Sequence, residues 1–219
     1  MEKRSMKFHD DDCRSCPRLA NYLQRTRSQF PGHRCLPVPS FGDTKAAVLI
    51  VGLAPGMHGA NATGRPFTGD HAGKLLYSTL FEYGFSNNAK SVNDGDGLRL
   101  YNCRIANAVK CLPPENKPTI SEIVNCNNYL RMEISVLKHD SILIALGKIA
   151  HDAILRALRL PMSKYKFEHG AEHLLEHLGL LILDSYHCSR YNTQTKRLTV
   201  KMFGEIFQRA REVIEKETS

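Results

Sequence analysis

Four cysteines have the residue type, and in part the spacing, of a metal centre. Cys13 and Cys16 are separated by two residues, and Cys111 and Cys126 follow in the middle of the chain. A two-residue gap lets adjacent thiolates bind one metal centre, and four thiolates from separate places suit an iron–sulfur cluster or a structural zinc ion. The spacing alone leaves the choice between these two centres open.

Other interpretations of these cysteines remain open. The chain holds seven cysteines, an odd number, and its first residues lead into the acidic run 10–12 rather than into an apolar leader. Both features favour a reducing compartment over a secreted disulfide framework. Cys126 also falls on an apolar stripe of a predicted helix, so an ordinary buried thiol is the alternative for it. The other members of the stripe are Ile123, Leu130, Ile134 and Leu137.

A glycine-rich segment, residues 52–70, holds a second group of chemically capable side chains. It contains five glycines, which let the backbone approach a ligand closely. Its aromatic ring, its amide and its carboxylate could together hold a planar polar ring. Those side chains include His58, Asn61, Arg65, Phe67 and Asp70. The alternative is an ordered surface loop in which Asp70 only caps the next helix.

Two further segments combine polar side chains with predicted strand ends. Asn107 lies near the end of a strand, and its amide, with one acceptor and two donors, suits the edge of a nucleobase. A satisfied turn amide is the alternative. His187 directly follows another strand, where it could donate a hydrogen bond to developing charge. The basic residues Arg190, Lys196 and Arg197 follow it and form a candidate phosphate-contacting surface.

The elements that must position these residues alternate between strand and helix. Short apolar runs predict strands at 46–51, within 98–109, at 141–146 and at 180–183. Helices are predicted at 73–83, at 118–138 with a Thr119–Glu122 capping box, at 147–159 and at 199–216. This order predicts an α/β fold, a three-layer α/β/α sandwich with a four-stranded, mostly parallel central sheet. Ligands bind outside the carboxyl ends of such strands, where the candidate segments lie.

Length and charge limit the classes of function. A chain of 219 residues is expected to form one domain, and no apolar stretch is long enough to span a membrane. The formal net charge of +8 favours a polyanionic partner, and nucleic acid becomes the prediction only if the charge lies beside a site. We expect an intracellular protein of the cytoplasm or nucleoid, because the sequence shows no signal peptide.

In combination, these motifs resemble the iron–sulfur uracil-DNA glycosylases, and most closely the b-type (family 5) branch. The resemblance runs from about Cys13 to the last helix. Each piece is weak alone, but their order and intervals are specific. The matching pieces are CxxCPRL at 13–19, GLAPG at 52–56, HGAN at 58–61, TGRPFTGD at 63–70, NAVKCLPP at 107–114, NKP at 116–118 and HxS at 187–189.

The resemblance implies a cofactor, a domain and a partner. A structural [4Fe–4S] cluster would be held by Cys13, Cys16, Cys111 and Cys126. The chain would form one uracil-DNA glycosylase-like domain over residues 1–219, with a cluster-binding segment at about 10–35. The partner would be double-stranded, or also single-stranded, DNA containing deaminated bases, and the protein would act as a monomer without a membrane partner.

The resemblance also implies roles for the site residues. Gly52, Phe67 and Asn107 would bind the flipped base, and His187 would stabilise negative charge on a base oxygen. Asn61 or Asp70 would position the attacking water. Arg190, Lys196 and Arg197 would contact DNA. Without an obvious lysine nucleophile in the strand-end loops, we predict a monofunctional N-glycosyl hydrolase that removes uracil, with other deaminated bases such as hypoxanthine or xanthine as further candidate substrates.

Two positions depart from the patterns of related enzymes. Gly56 stands where the wider superfamily has an acidic or amide residue, and Cys188 stands where the family usually has proline, which places an oxidisable thiol beside His187. Two alternatives stay open beside the b-type enzyme, although the stretches 52–55 and 58–61 argue against the first of them. One is a stricter uracil-only enzyme of the a-type branch, and the other is a non-enzymatic nucleic-acid-binding module held together by zinc.

Overall fold

The computed structural model describes residues 8–217. The two ends of the predicted domain, residues 1–7 and 218–219, lie outside the described residues. The strands are β1 (Phe41–Gly42), β2 (Val48–Gly52), β3 (Cys103–Asn107), β4 (Ser141–Leu146), β5 (Glu172–Leu175) and β6 (Leu180–Ser185). The α-helices are α1 (Pro17–Gln29), α2 (Ala60–Thr63), α3 (His71–Glu82), α4 (Ile120–Ser135), α5 (Lys148–Ala157), α6 (Arg190–Gln194) and α7 (Val200–Glu217).

The strands form one mixed sheet in the order β1-β3-β2-β4-β6-β5. The four central strands are the predicted ones, and each pairs with its neighbour in parallel. The predicted number of four strands is wrong, because β1 and β5 add an antiparallel strand at each edge. β1 has two residues, and the four residues of β5 do not alternate between apolar and polar types, so neither carries a clear strand signal.

The predicted three-layer sandwich is confirmed by the two cores of the protein. Successive side chains of a strand point to opposite faces of the sheet, so alternate apolar residues supply two cores. One face packs against α3 and α7, through residues such as Ile50, Ile105, Leu76 and Phe207. The other face packs against α4 and α5, through residues such as Leu49, Leu143, Leu130 and Ile154. Because both faces of the sheet are packed against helices, the carboxyl ends of the strands are held in defined positions.

Two helix starts follow from their capping residues. Thr119 accepts a hydrogen bond from the Glu122 N–H, and the Glu122 carboxylate accepts one from the Thr119 N–H at 2.7 Å, which confirms the predicted capping box of α4. Asp70 caps α3 by accepting from the Gly73 N–H at 2.8 Å, and α3 therefore begins at His71, two residues before its predicted start. Across residues 8–217, no helix combines the length and apolar character needed to cross a membrane.

Candidate active site

A cleft of about 750 Å³ lies at the carboxyl edge of the sheet. It is lined by residues from the loop after β2, from the end of β3 and from the loop after β6. Gly52 and Asn107 pair in register at the ends of β2 and β3, and Ser185 ends β6 two residues before His187. Most of the side chains singled out in the sequence meet here. They are His58, Phe67, Asp70, Asn107, His187 and Arg190.

Gly52 lies against two side chains that could contact a base, the Phe67 ring and the Asn107 amide. A Cβ atom on Gly52 would stand 2.6 Å from Asn107 Oδ1 and 2.6 Å from Phe67 Cζ, so the ring and the amide both approach the bare backbone. Phe67 adopts a positive φ of 55°, which is uncommon for a residue with a side chain. Asn107 is 3% exposed, and its Oδ1 has no hydrogen-bond partner within the described residues. An unpaired buried acceptor beside an open cleft is suited to a donor on a ligand.

His187 lies against the Phe67 ring. The two ring centroids are 5.9 Å apart with an interplanar angle of 28°. The loop that carries His187 is held by Asn192, whose Nδ2 donates to the His187 carbonyl at 2.8 Å. Burial lowers the pKa of His187, although the nearby Asp70 carboxylate acts in the opposite direction. A neutral imidazole near pH 7 is therefore available as a hydrogen-bond donor.

Asp70 uses one carboxylate oxygen for structure and leaves the other toward the cleft. Its Oδ1 accepts from the Gly73 N–H. Its Oδ2 would lie 3.5 Å from a Cβ atom on Gly56 and 2.6 Å from one on Gly59, so the carboxylate packs beside this glycine-rich backbone. No hydrogen bond of Oδ2 is formed with residues 8–217. Asp70 can therefore cap α3 with one carboxylate oxygen and still offer the other oxygen for a chemical role.

The structure does not bring Asn61 to the cleft. Asn61 is fully buried on α2, and its Nδ2 lies 3.4 Å from both Cys35 Sγ and the Met57 carbonyl. The Asn61 carbonyl also accepts from the Cys35 N–H at 3.0 Å. Since α2 packs on the segment after α1, the amide is directed toward that segment. Asn61 has an unpaired buried Oδ1, but it does not share the cleft with Asp70 and His187.

The predicted DNA-contacting residues lie in different places. Arg190 is exposed at the edge of the cleft. Arg197 lines an adjoining pocket that His187 also borders, and its guanidinium lies 4.6 Å from the centre of the Tyr186 ring. Lys196 is exposed and borders neither cavity.

Two further residues line the cleft, His71 and Lys74, which the sequence motifs did not predict. Both lie on the first turns of α3, and His71 Nε2 is 3.0 Å from Thr193 Oγ1 of α6. The available signal was the Asp70 cap. Helical side chains tilt toward the helix N-terminus, so a helix that begins at the end of a candidate ligand-binding loop places the side chains of its first turns near the same site.

The four singled-out cysteines meet in one small cavity. Cys13, Cys16, Cys111 and Cys126 all line it. The elements that carry them are connected by Arg18 of α1, which donates to both Glu122 carboxylate oxygens of α4 at 2.8 and 2.7 Å. Burial, followed by the neighbouring cysteines, raises the pKa of Cys111 to about 12. Burial likewise raises the pKa of Cys126 to about 11. A bound cation would reverse this by stabilising the thiolates.

The other three cysteines are buried apart from this cavity. Cys188 follows His187 in sequence but packs in the core beneath α3 and α7, fully buried. Burial raises its pKa above the usual range. The expected oxidisable thiol beside the site is therefore shielded, because oxidation requires an accessible thiolate.

Comparison with known proteins agrees with this geometry. The family model of the uracil DNA glycosylase superfamily matches residues 39–211, which contain the whole sheet and the cleft. The chain belongs to this superfamily. It is 45% identical over 204 residues to a type-5 uracil-DNA glycosylase of Thermus thermophilus, an alignment that covers 91% of this chain and 92% of that protein.

The sequence identity of the chain is higher to the type-5 enzymes than to a type-4 enzyme of the superfamily. The chain is 40% identical over 205 residues to a type-5 uracil-DNA glycosylase of Pyrobaculum aerophilum, covering 91% of this chain and 88% of the relative. It is 29% identical over 178 residues to a type-4 uracil-DNA glycosylase of Archaeoglobus fulgidus, covering 80% and 75%. The resemblance to the family 5 branch is confirmed.

Proposed function

We propose that this protein hydrolyses the N-glycosidic bond of uracil in DNA and leaves an abasic site. The observation that carries the proposal is the convergence of Phe67, Asp70, Asn107 and His187 in one cleft. Each has a different capability: an aromatic face, a free carboxylate oxygen, an unpaired amide acceptor and a neutral donor. The superfamily membership and the printed names of the type-5 relatives support the same conclusion.

The cleft supports recognition of a base that has left the duplex. Flipping a base costs a few kcal/mol, and a mismatched base costs least. Stacking on an aromatic ring such as Phe67 contributes about 1–3 kcal/mol. Asn107 Oδ1 would accept from uracil N3–H, while its Nδ2 would donate to O4. Cytosine presents an acceptor and a donor in the reverse order, so the same amide orientation discriminates against it.

Bond cleavage requires stabilisation of a leaving uracil anion and a cationic sugar. His187 would donate a hydrogen bond to the base oxygen on which negative charge develops, and its lowered pKa keeps the ring neutral. Losing one such donor typically slows a reaction about a hundred- to a thousandfold. Asp70 Oδ2 would orient the attacking water and accept its proton as the water adds to the sugar, and its negative charge would favour the cationic sugar. The released uracil anion then takes up a proton. The buried position of Asn61 supports Asp70 over Asn61 for this role.

Hydrolysis without a Schiff base is supported by the placement of the lysines. Lys110 is buried, and its Nζ donates to Ser40 Oγ at 2.8 Å. Of the described lysines only Lys74 lines the cleft, and it is exposed at the edge. Borohydride treatment of the reacting complex should therefore leave no covalent protein–DNA product. A trapped adduct that disappears in Lys74→Gln would contradict monofunctional hydrolysis.

The cysteine cavity supports a [4Fe–4S] cluster over zinc. Among the described residues, the only three His, Cys, Asp or Glu ligand atoms that all lie within 4.8 Å of one another belong to His151, His173 and Asp184. No three of the four cysteine sulfurs are therefore that compact. Ligands of tetrahedral zinc stand about 3.8 Å apart, since a Zn–S bond is about 2.3 Å. A cluster bound here would supply a covalent connection between the start of α1 and the loop after β3.

Elemental analysis tests the nature of this centre. A brown preparation with about four irons and four sulfides per chain supports the cluster. One zinc per chain in a colourless preparation would reject it. A zinc protein that binds DNA but releases no base would favour the non-enzymatic module.

The volume of the cleft supports a broader base range than uracil. About 750 Å³ leaves room for a purine, so hypoxanthine and xanthine are included in the proposal. The substrate would be double-stranded DNA, or also single-stranded DNA, acted on by a monomer consisting of one domain. Matched duplexes carrying each base in turn test the range. Release of uracil alone would favour the stricter a-type specificity.

Base release from a duplex with one uracil opposite guanine tests the central proposal. Alkali-labile abasic sites are scored for the wild type and for His187→Ala, with His177→Ala as the matched control. His177 is exposed on the turn between β5 and β6, away from the cleft. Release that falls at least a hundredfold in His187→Ala but not in His177→Ala supports the proposal. No release from a cluster-loaded wild type on any of the three bases would overturn it.

A further inference from the structure

A second groove adjoins the cleft and has no role in the reaction described above. It encloses about 580 Å³ between the first turns of α3 and residues 89–92. Phe67, Asp70 and Lys74 line both the cleft and the groove, so the two cavities adjoin at these side chains. A chain that enters the cleft at these residues therefore has a direct path into the groove.

Residues 89–92 are held in place by buried polar contacts with the glycine-rich loop. Arg65, which is 5% exposed, donates from Nη1 to Asp96 Oδ1 at 2.9 Å and to Ser91 Oγ at 3.0 Å. Asp96 Oδ2 accepts from the Val92 N–H at 2.7 Å. Thr68 Oγ1 and Ser91 Oγ are 2.6 Å apart. The Arg65 side chain, which the sequence placed among the site candidates, thus fixes the second side of the groove.

The groove has a cationic residue on each side and an apolar residue beside them. Lys74 on α3 and Lys90 on the opposite side are both exposed. Val92 is 62% exposed, so its apolar side chain is accessible to a ligand in the groove. Positive charge complements phosphate, and the groove adjoins the cleft proposed for the flipped base. A flipped nucleotide remains bonded to its neighbours, so a flanking nucleotide must leave the cleft along such a surface.

We propose that this groove binds the nucleotide adjacent to the flipped base, with Lys74 and Lys90 contacting flanking phosphates and Val92 contacting the sugar or base. The proposal rests on the proposed glycosylase function. The rigid Arg65–Asp96 connection presents this surface before DNA arrives, which lowers the ordering cost of binding. The phosphate contacts of Lys74 and Lys90 carry no sequence information, so they contribute affinity independently of the damaged base.

Salt-dependent binding tests the proposal. Affinity for a duplex with a 2′-fluorinated, cleavage-resistant deoxyuridine is measured by fluorescence anisotropy at several salt concentrations. Lys74→Gln and Lys90→Gln should each reduce the slope of log affinity against log salt by about 1. Between about 50 and 200 mM salt, the factor by which the affinity of each variant falls should therefore be about fourfold smaller than the factor for the wild type. Lys138→Gln is the matched control, since Lys138 is exposed near the amino end of β4, at the opposite edge of the sheet.

Neutral methylphosphonate linkages identify the phosphates involved. One substitution beside the uracil should weaken binding of the wild type but have no further effect on Lys90→Gln. Wild-type slopes in Lys74→Gln and Lys90→Gln, an equal loss in Lys138→Gln, or equal methylphosphonate effects in wild type and variant would each overturn the proposal. If the slopes are as expected but the protein releases no base, DNA binding by the groove would be supported and the glycosylase function would be rejected.

Discussion

Gly52 is the position where one added carbon should disturb the candidate site most directly. A Cβ atom there would stand 2.6 Å from Asn107 Oδ1 and 2.6 Å from Phe67 Cζ, whereas ordinary contact begins at 3.4 Å. Gly52→Ala must therefore displace the amide, the ring or the strand by about 0.8 Å, the difference between these two distances. Phe67 and Asn107 are 7% and 3% exposed, so neither can move freely into solvent.

This displacement should cost much more activity than stability. Misplacing a positioned group by about 1 Å can reduce a rate about a hundredfold. We expect single-turnover uracil release by Gly52→Ala to be about a hundredfold slower than by the wild type. Overpacking of this kind lowers the free energy of unfolding by about 1–3 kcal/mol, which leaves the variant folded. Quenched-flow release assays measure the first quantity, and denaturant titration followed by circular dichroism measures the second.

Gly32→Ala provides the matched control for Gly52→Ala. A Cβ atom on Gly32 would have no neighbour within 4 Å, and its φ is not in the left-handed region. Its rate and stability should remain close to those of the wild type. If Gly52→Ala releases uracil within about threefold of the wild-type rate, Asn107 and Phe67 do not hold the base in the way inferred from their approach to Gly52.

Three further predictions concern separate parts of the molecule. Asp70→Asn should slow base release about a hundred- to ten-thousandfold, the usual range for a proton acceptor. Asn61→Ala should mainly lower the melting temperature. A larger loss of rate in Asn61→Ala than in Asp70→Asn would reverse the two roles. Burial alone would lower the pKa of His151, but the Asp184 carboxylate 2.8 Å from its Nδ1 raises it. The stabilisation by this pair is complete below the ordinary histidine pKa and is lost as pH rises through the higher pKa of the folded state. Denaturant titrations should therefore show a larger decrease in the free energy of unfolding for His151→Gln, relative to wild type, at pH 6 than at pH 8. An equal decrease at both pH values would contradict this prediction. Cys126→Ser should lose iron and sulfide and expose α1 to proteolysis, and full iron content in the variant would exclude Cys126 as a ligand.

The sequence predicted best where a local pattern has one physical solution. Four apolar runs could only be buried in a central parallel sheet, and the Thr119–Glu122 capping box has only one place in a helix. The edge strands could not be predicted, because β1 and β5 owe their conformation to pairing with β3 and β6 rather than to their own residues. The motif spacings also selected the family, since seven weak matches in a fixed order rarely coincide by chance.

The motifs by themselves determined which residue types this protein brings to a site, namely an amide, an aromatic ring, a carboxylate, a histidine and four thiols. Only the tertiary structure decided which of them meet. Asn61 and Asp70 lie in the same glycine-rich segment, yet α2 turns Asn61 toward Cys35, while the start of α3 leaves Asp70 at the cleft. Lys90 is far from every motif in sequence, but Arg65 brings its segment beside the site through Asp96 and Ser91. Side-chain direction depends on long-range packing, which spacing along a chain does not encode.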